Sequence, residues 1–242
     1  MKRIFSFLFA IIALVGTTGV FTSCQEDAVE IDETISNPEY VTFTADAAQG
    51  LKYEGTDLQY STDGITFFHL PANTPITFGG STKLYLRGVN NLDGNSYKSS
   101  GYTYGYKISF GNDDVPVACT GDIRTLIDYA TYKTVDTSNA TFTSLFQYCR
   151  VLTSAPALPA TTLADGCYKY MFYACNSLKE APALPATTLA DGCYDQMFEY
   201  CTSLVNAPEL PATTLADGCY HGMFMDCTSL VNAPALPATD LA

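Results

Sequence analysis

The residues of this 242-residue chain best able to do chemistry are its nine cysteines. Cys149, Cys175, Cys201 and Cys227 recur every 26 residues, Cys167, Cys193 and Cys219 form a second series, and Cys119 and Cys24 stand apart. Thiols so spaced could pair, hold a metal or simply pack. On a helix, Cys167 and Cys175 would lie ~12 Å apart, beyond the ~7 Å that a disulfide tolerates between Cα atoms. Equivalent cysteines on adjacent helices would be ~8–10 Å apart. No C-x₂-C pair or Cys–His cluster offers a zinc site. Reduced, buried thiols acting as small hydrophobes are therefore expected. Asp165, Asp191 and Asp217 follow the same period. A file of carboxylates hints at calcium, but helix capping explains it more simply. Neither His69 nor His221 comes with a nucleophile or carboxylate at a hydrolase spacing, and no glycine-rich phosphate loop is present. The reading is a chain with no catalytic residue, no cofactor and no metal, and not an enzyme.

The period that organises the cysteines organises half of the chain. Residues 163–188 and 189–214 are identical at 18 of 26 positions, and residues 215–240 match their predecessor at 20 of 26. A degenerate earlier copy is visible at Leu145, Phe146, Cys149, Leu152, Pro156 and Leu158. Positions held between copies are mostly apolar. Those that drift, such as Lys169-Tyr170, Asp195-Gln196 and His221-Gly222, are mostly polar, as expected for a shared core and a wet face. Leu163, Cys167, Met171 and Cys175 are spaced four apart, which predicts a helix with one apolar stripe. Thr162 would be its N-cap and Asp165 part of a capping box. Pro182 and Pro185 would end a short strand and turn the chain toward the next helix. A strand–turn–helix unit cannot bury its apolar face alone, so the units should stack into a solenoid.

The string Cys-Tyr-x-x-Met-Phe-x-x-Cys-x-Ser-Leu, followed by Ala-Pro-x-Leu-Pro-Ala-Thr-Thr-Leu-Ala, resembles the leucine-rich repeats of the BspA-like surface proteins, a resemblance covering about residues 121–242. It implies a curved leucine-rich-repeat solenoid and a role as a surface antigen or adhesin, in some members toward host extracellular-matrix proteins. The ligand would be set by the drifting positions. The candidate contacts are Lys179, Glu180, Val205, Asn206, Val231 and Asn232.

The N-terminus supplies an address. Lys2 and Arg3 precede an apolar run over residues 4–15, the layout of a secretory signal. Ser23-Cys24 after it resembles a lipobox, which implies that Cys24 becomes the acylated N-terminus of a lipoprotein. Residues 24–38, with Glu26, Asp27, Glu30, Asp32 and Glu33, read as an acidic tether. An acidic patch in this place also resembles the export signal of Bacteroidetes surface lipoproteins; a plain spacer is the alternative. The expected location is the outer membrane, lipid-anchored and facing outward.

Residues 39–113 alternate in the manner of strands. Strands are expected at residues 40–44, 58–61, 65–68, 83–87 and 102–110, with Asp63-Gly64 as a hairpin turn. The organisation that follows is α+β: signal peptide 1–23, tether 24–38, antiparallel sandwich-like β-domain 39–113, and repeats 114–242 that break off where another helix is due. Acidic residues outnumber basic ones 25 to 12, which argues against nucleic acid as a partner. The expected partner is an extracellular protein. The alternatives are a glycan stacked on Tyr53, Tyr60, Tyr85 and Tyr104, or a stalk that carries another domain.

Overall fold

Apolar alternation builds the first half of the molecule, which is seen in a computed structural model that describes residues 38–99 and 102–239. The signal segment, Cys24 and the acidic tether lie outside the described residues. Strand β1 (Val41–Thr44) buries Val41 and Phe43 on one face. It pairs antiparallel with both β6 (Leu84–Gly88) and β10 (Val117–Thr120). With β3 (Leu58–Ser61), β4 (Phe68–His69) and β11 (Leu152–Ser154) these make a six-stranded sheet in the order β11-β10-β1-β6-β3-β4. Strands β5 (Ile76–Phe78), β2 (Gln49–Tyr53) and β9 (Ile108–Phe110) form a three-stranded sheet, β5-β2-β9, and β7 (Ser96–Ser99) with β8 (Tyr102–Gly105) forms a hairpin. The two larger sheets meet through rings. Phe43 lies 6.4 Å from Phe78 and 5.8 Å from Phe110.

Two strand expectations shift for identifiable reasons. The strand expected at residues 65–68 is only Phe68–His69. Asp63 Oδ1 accepts the N–H groups of Ile65 and Thr66, both at 2.8 Å, and so removes them from the ladder. The same bonds pull the Asp63 carboxyl down to about 2. The single strand expected at residues 102–110 is split into β8 and β9, which pair in different sheets.

The repeats overturn the expected architecture. No α-helix occurs among the described residues; the helical piece is a 3₁₀ turn, Ile123–Leu126. The chain is therefore not α+β and does not form a curved leucine-rich-repeat solenoid of strand–turn–helix units. Residues 164–175 are a run of overlapping turns. Cys167, Lys169, Met171, Tyr173 and Cys175 each donate their N–H to the carbonyl three residues back. The intervening residues donate sideways. Gly166, Tyr168, Tyr170, Phe172 and Ala174 reach Asp191, Cys193, Asp195, Met197 and Glu199 in the next copy at 2.8–3.0 Å. The next copy repeats this with donors Gly192, Tyr194, Gln196, Phe198 and Tyr200. A helix cannot form because every fourth residue is left-handed: Gly166 (φ 62°), Tyr170 (55°) and Ala174 (56°), then Gly192, Gln196 and Tyr200. The left-handed region costs a side-chain-bearing residue roughly 1–2 kcal/mol. Two hydrogen bonds per pair of residues hold it there.

This geometry also re-reads the capping residues. The Asp165 carboxylate accepts the Asp191 N–H at 3.3 Å, and that of Asp191 accepts the Asp217 N–H at 3.2 Å, so the file of aspartates joins copies and caps no helix. Rings continue the stack inside. Phe146, Phe172, Phe198 and Phe224 lie 5.4, 5.5 and 5.8 Å apart with planes 3–4° from parallel. Tyr168, Tyr194 and Tyr220 form a second column at 5.8 Å.

The β region closes one end of this stack. Asn95 N–H and Nδ2 donate to the carbonyls of Thr141 and Thr143, and Ile108 N–H donates to Leu145. Gly105 comes so near that a Cβ there would sit 1.7 Å from the Thr143 carbonyl oxygen. One hydrophobic core runs from Val41 to Cys227. Gly105→Ala should cost ~1–3 kcal/mol by forcing cap and first copy apart, and Leu204→Ala, fully buried in the native chain, ~2–5 kcal/mol as a core truncation. Urea melts measure both. An unchanged midpoint for Leu204→Ala would contradict the packing described.

Candidate functional site

Stacking at a 26-residue interval places equivalent side chains of successive copies beside each other, so the drifting positions become columns on the surface. Lys179, Glu180, Val205, Asn206, Val231 and Asn232 do come together. Parallel bridges join Glu180 to Asn206 and Asn206 to Asn232. Val205 N–H donates to Lys179 and Val231 N–H to Val205, each at 3.1 Å. All six residues are exposed. Asn206 Nδ2 lies 3.4 Å from Glu180 Oε2, so the row is partly tied to itself.

A second surface, not foreseen as a contact site, is richer in side chains suited to binding. Tyr148 and Tyr200 are 53% and 40% exposed, with Tyr173 half-buried between them. Ring centroids are 5.4 Å apart for Tyr148–Tyr173 and 5.5 Å for Tyr173–Tyr200, both edge-to-face. Tyr170 adds a third edge-to-face contact to Tyr173 at 5.8 Å. Burial and the nearby Glu199 raise the Tyr173 phenol, while the Asp226 carboxylate raises that of Tyr200. These hydroxyls stay protonated donors across the physiological range. The signal was available in the sequence: two neighbouring drifting columns, 147/173/199/225 and 148/174/200/226, both carry tyrosines.

A third column carries charge. Lys169, Asp195 and His221 occupy one position in three successive copies. Asp195 receives Lys169 Nζ at 2.7 Å and lies 2.9 Å from His221 Nδ1. His221 thus has a carboxylate partner that chain spacing alone did not reveal. Adjacent to it, Tyr170 O–H donates to Gln196 at 2.7 Å. This column links copies.

Other expected residues divide. Tyr53 is buried with its hydroxyl on Asp57 Oδ1 at 2.9 Å, which removes it from any sugar-stacking surface. Tyr60 and Tyr85 are half-buried, Tyr60 against Phe68. Tyr104 is exposed and stacks on Tyr97 at 5.6 Å. His69 is exposed and faces Gln59 across β3 and β4. Among the described residues no group of three or more His, Cys, Asp or Glu is placed to hold a metal ion, and no helix is long and apolar enough to cross a membrane. Comparison with protein-family models, with curated proteins and with solved structures finds no match.

The eight cysteines of the described residues are free and buried. Cys175, Cys201 and Cys227 donate their thiol protons to the carbonyls of Phe146, Phe172 and Phe198 at 3.0–3.1 Å. Each Sγ thus reaches the preceding copy. Burial pushes Cys167 and Cys193 up to about 12 and Cys227 up to about 11. Such thiols are neutral and unreactive at pH 8. At that pH none of the eight should react with a thiol reagent in the native chain, and all eight should react in denaturant. The same shifts set a pH dependence. From pH 9, the ordinary thiol value, to about 12, the unfolded chain releases protons that the folded chain retains, so stability falls as pH rises through that window. The buried phenols of Tyr168 and Tyr194, also raised by desolvation, act in the same direction. Urea midpoints should be level between about pH 6 and 8 and drop as pH rises from about 9 to 10.5.

Proposed function

We propose that the chain is a binding protein of the cell surface, held to the outer membrane by lipid on Cys24, that docks an extracellular protein and performs no catalysis. The observation that carries this reading is the strip of Tyr148, Tyr170, Tyr173 and Tyr200. Tyrosine presents a large, amphipathic contact area on only two rotatable bonds, and such rings dominate the energetics of protein interfaces. Here their mutual edge contacts hold them in place before a partner arrives, which lowers the ordering cost of binding. The row of Lys179, Glu180, Val205, Asn206, Val231 and Asn232 offers a second, more polar contact. The resemblance of the repeat motif to BspA-like surface proteins points the same way, toward a host matrix protein or another surface protein as ligand.

The test uses the full chain without its signal, with Cys24→Ser to keep it soluble, against immobilised host matrix proteins. Wild-type contacts should be saturable, and Tyr148→Ala with Tyr200→Ala should weaken binding by roughly tenfold or more. Absence of saturable binding would count against the functional class, and full binding by the double variant would count against the strip. Attachment is tested separately: labelled palmitate should enter the cellular protein and be lost in Cys24→Ala.

A further inference from the structure

Away from the repeats, the outward face of the six-stranded sheet holds an arginine in an unusual setting. Arg87 projects from β6, whose Leu84, Leu86 and Gly88 are buried and whose Tyr85 and Arg87 alternate with them toward solvent. The guanidinium lies flat between two rings: its Cζ is 3.8 Å from the centroid of Phe67 and 4.0 Å from that of Tyr129. Tyr40 braces both, 4.8 Å from Phe67 and 6.1 Å from Tyr129. The Arg87 Nε donates to Gln59 Oε1 on the adjacent strand at 2.8 Å.

These contacts use both faces and one edge of the group. The rings cover the faces, and Gln59 takes the Nε side. What is left is the end-on fork of Nη1 and Nη2. A guanidinium normally spends that fork on a carboxylate. The chain has 25 acidic residues to 12 basic, yet the ion pairs among the described residues are Arg124–Asp122, Lys169–Asp195 and His221–Asp195, none involving Arg87. Rings on both faces strip water from the cation and fix its plane, so a two-oxygen anion arriving end-on finds a rigid, partly desolvated fork.

We propose that Arg87, clamped by Phe67 and Tyr129, is a binding site for the carboxylate of a ligand, taken end-on by its two Nη groups. The site shares no residue with the tyrosine strip and stands independently of the function proposed above. Lys cannot replace Arg here, since an ammonium supplies the charge without the planar fork.

The test follows the Arg87 Nε–Hε resonance of the full chain by ¹⁵N NMR, assigned by its loss in Arg87→Lys, during titration with sodium acetate, sodium phosphate or sodium chloride at equal ionic strength. Acetate should give a saturable shift with a Kd on the order of 1–10 mM, chloride none, and phosphate a weaker one. Amide shifts of Gln59 and Tyr129 should report acetate binding at least about tenfold weaker in Arg87→Lys. Phe67→Leu keeps the cation but removes one ring, and should weaken acetate about threefold in a spectrum otherwise dispersed as in the wild type. A shift that never saturates, one that chloride reproduces, phosphate binding tighter than acetate, or an undiminished Kd in Phe67→Leu would overturn the proposal.

Discussion

Every feature of the repeat half depends on how its backbone N–H groups are divided. Alternate residues donate within their own copy, to the carbonyl three back, and the others donate to the next copy. Carbonyls divide in the complementary way. Those of Gly166, Tyr168, Tyr170 and Phe172 accept locally, and those of Cys167, Lys169, Met171 and Tyr173 accept from the preceding copy. Buried backbone polar groups must be paired, and this division pairs them without helix or extended strand. It demands a left-handed residue every fourth position, which Gly166, Gly192 and Gly218 supply without strain and Tyr170, Ala174, Gln196 and Tyr200 supply under constraint. It also gives the stack a direction, because the cross-copy bonds of these runs all point from an earlier N–H to a later C=O. The first copy therefore presents carbonyls. Asn95 and Ile108 of the β region meet them, which is why β region and repeats share one core.

The same division explains the side chains. With a strict interval, each position lies beside its equivalents in the neighbouring copies. Inside, that favours flat rings that stack and thiols small enough to reach a neighbouring carbonyl. Outside, it turns drifting positions into columns whose members interact: Asp195 with Lys169 and His221, Tyr170 with Gln196, Tyr173 with Tyr148 and Tyr200. A surface assembled this way is held by its own contacts before any partner arrives, the property a docking face needs.

Much of this was legible in the residues, but not the conformation of the copy. The 26-residue period, the buried file of Cys175, Cys201 and Cys227, and the exposure of Val205 and Asn206 could all be read from what repeats and what drifts. The helix was misread because Leu163, Cys167, Met171 and Cys175 are spaced four apart, and four suits a helical stripe and a four-residue turn alike. The numbers do discriminate. On a helix of 3.6 residues per turn, each step of four drifts by about 40°, so three steps leave the face by about 120°. The burial of neighbours Met171 and Phe172 together, and the Asp-Gly pair in each copy, point to turns as well. In the β region, strands β2 and β5 went unseen. Strand β5 is only three residues long, and β2, although it buries alternate residues, carries only two apolar side chains on that face, Leu51 and Tyr53, beside Gln49 and Gly50. Asp63 acts through local N–H groups that no periodicity exposes. Arg87 escaped notice because its clamp joins Phe67, Gln59 and Tyr129, residues that only the folded sheet brings together.

The decisive measurement is the through-hydrogen-bond scalar coupling between backbone ¹⁵N and ¹³C′ nuclei. The turn ladder predicts couplings from the N–H of Tyr168, Tyr170 and Phe172 to the carbonyls of Cys193, Asp195 and Met197, alternating with couplings from Lys169, Met171 and Tyr173 to the carbonyls three residues back. Couplings from residues 167–175 to carbonyls four residues back, with none between copies, would mean a helix and would contradict the account.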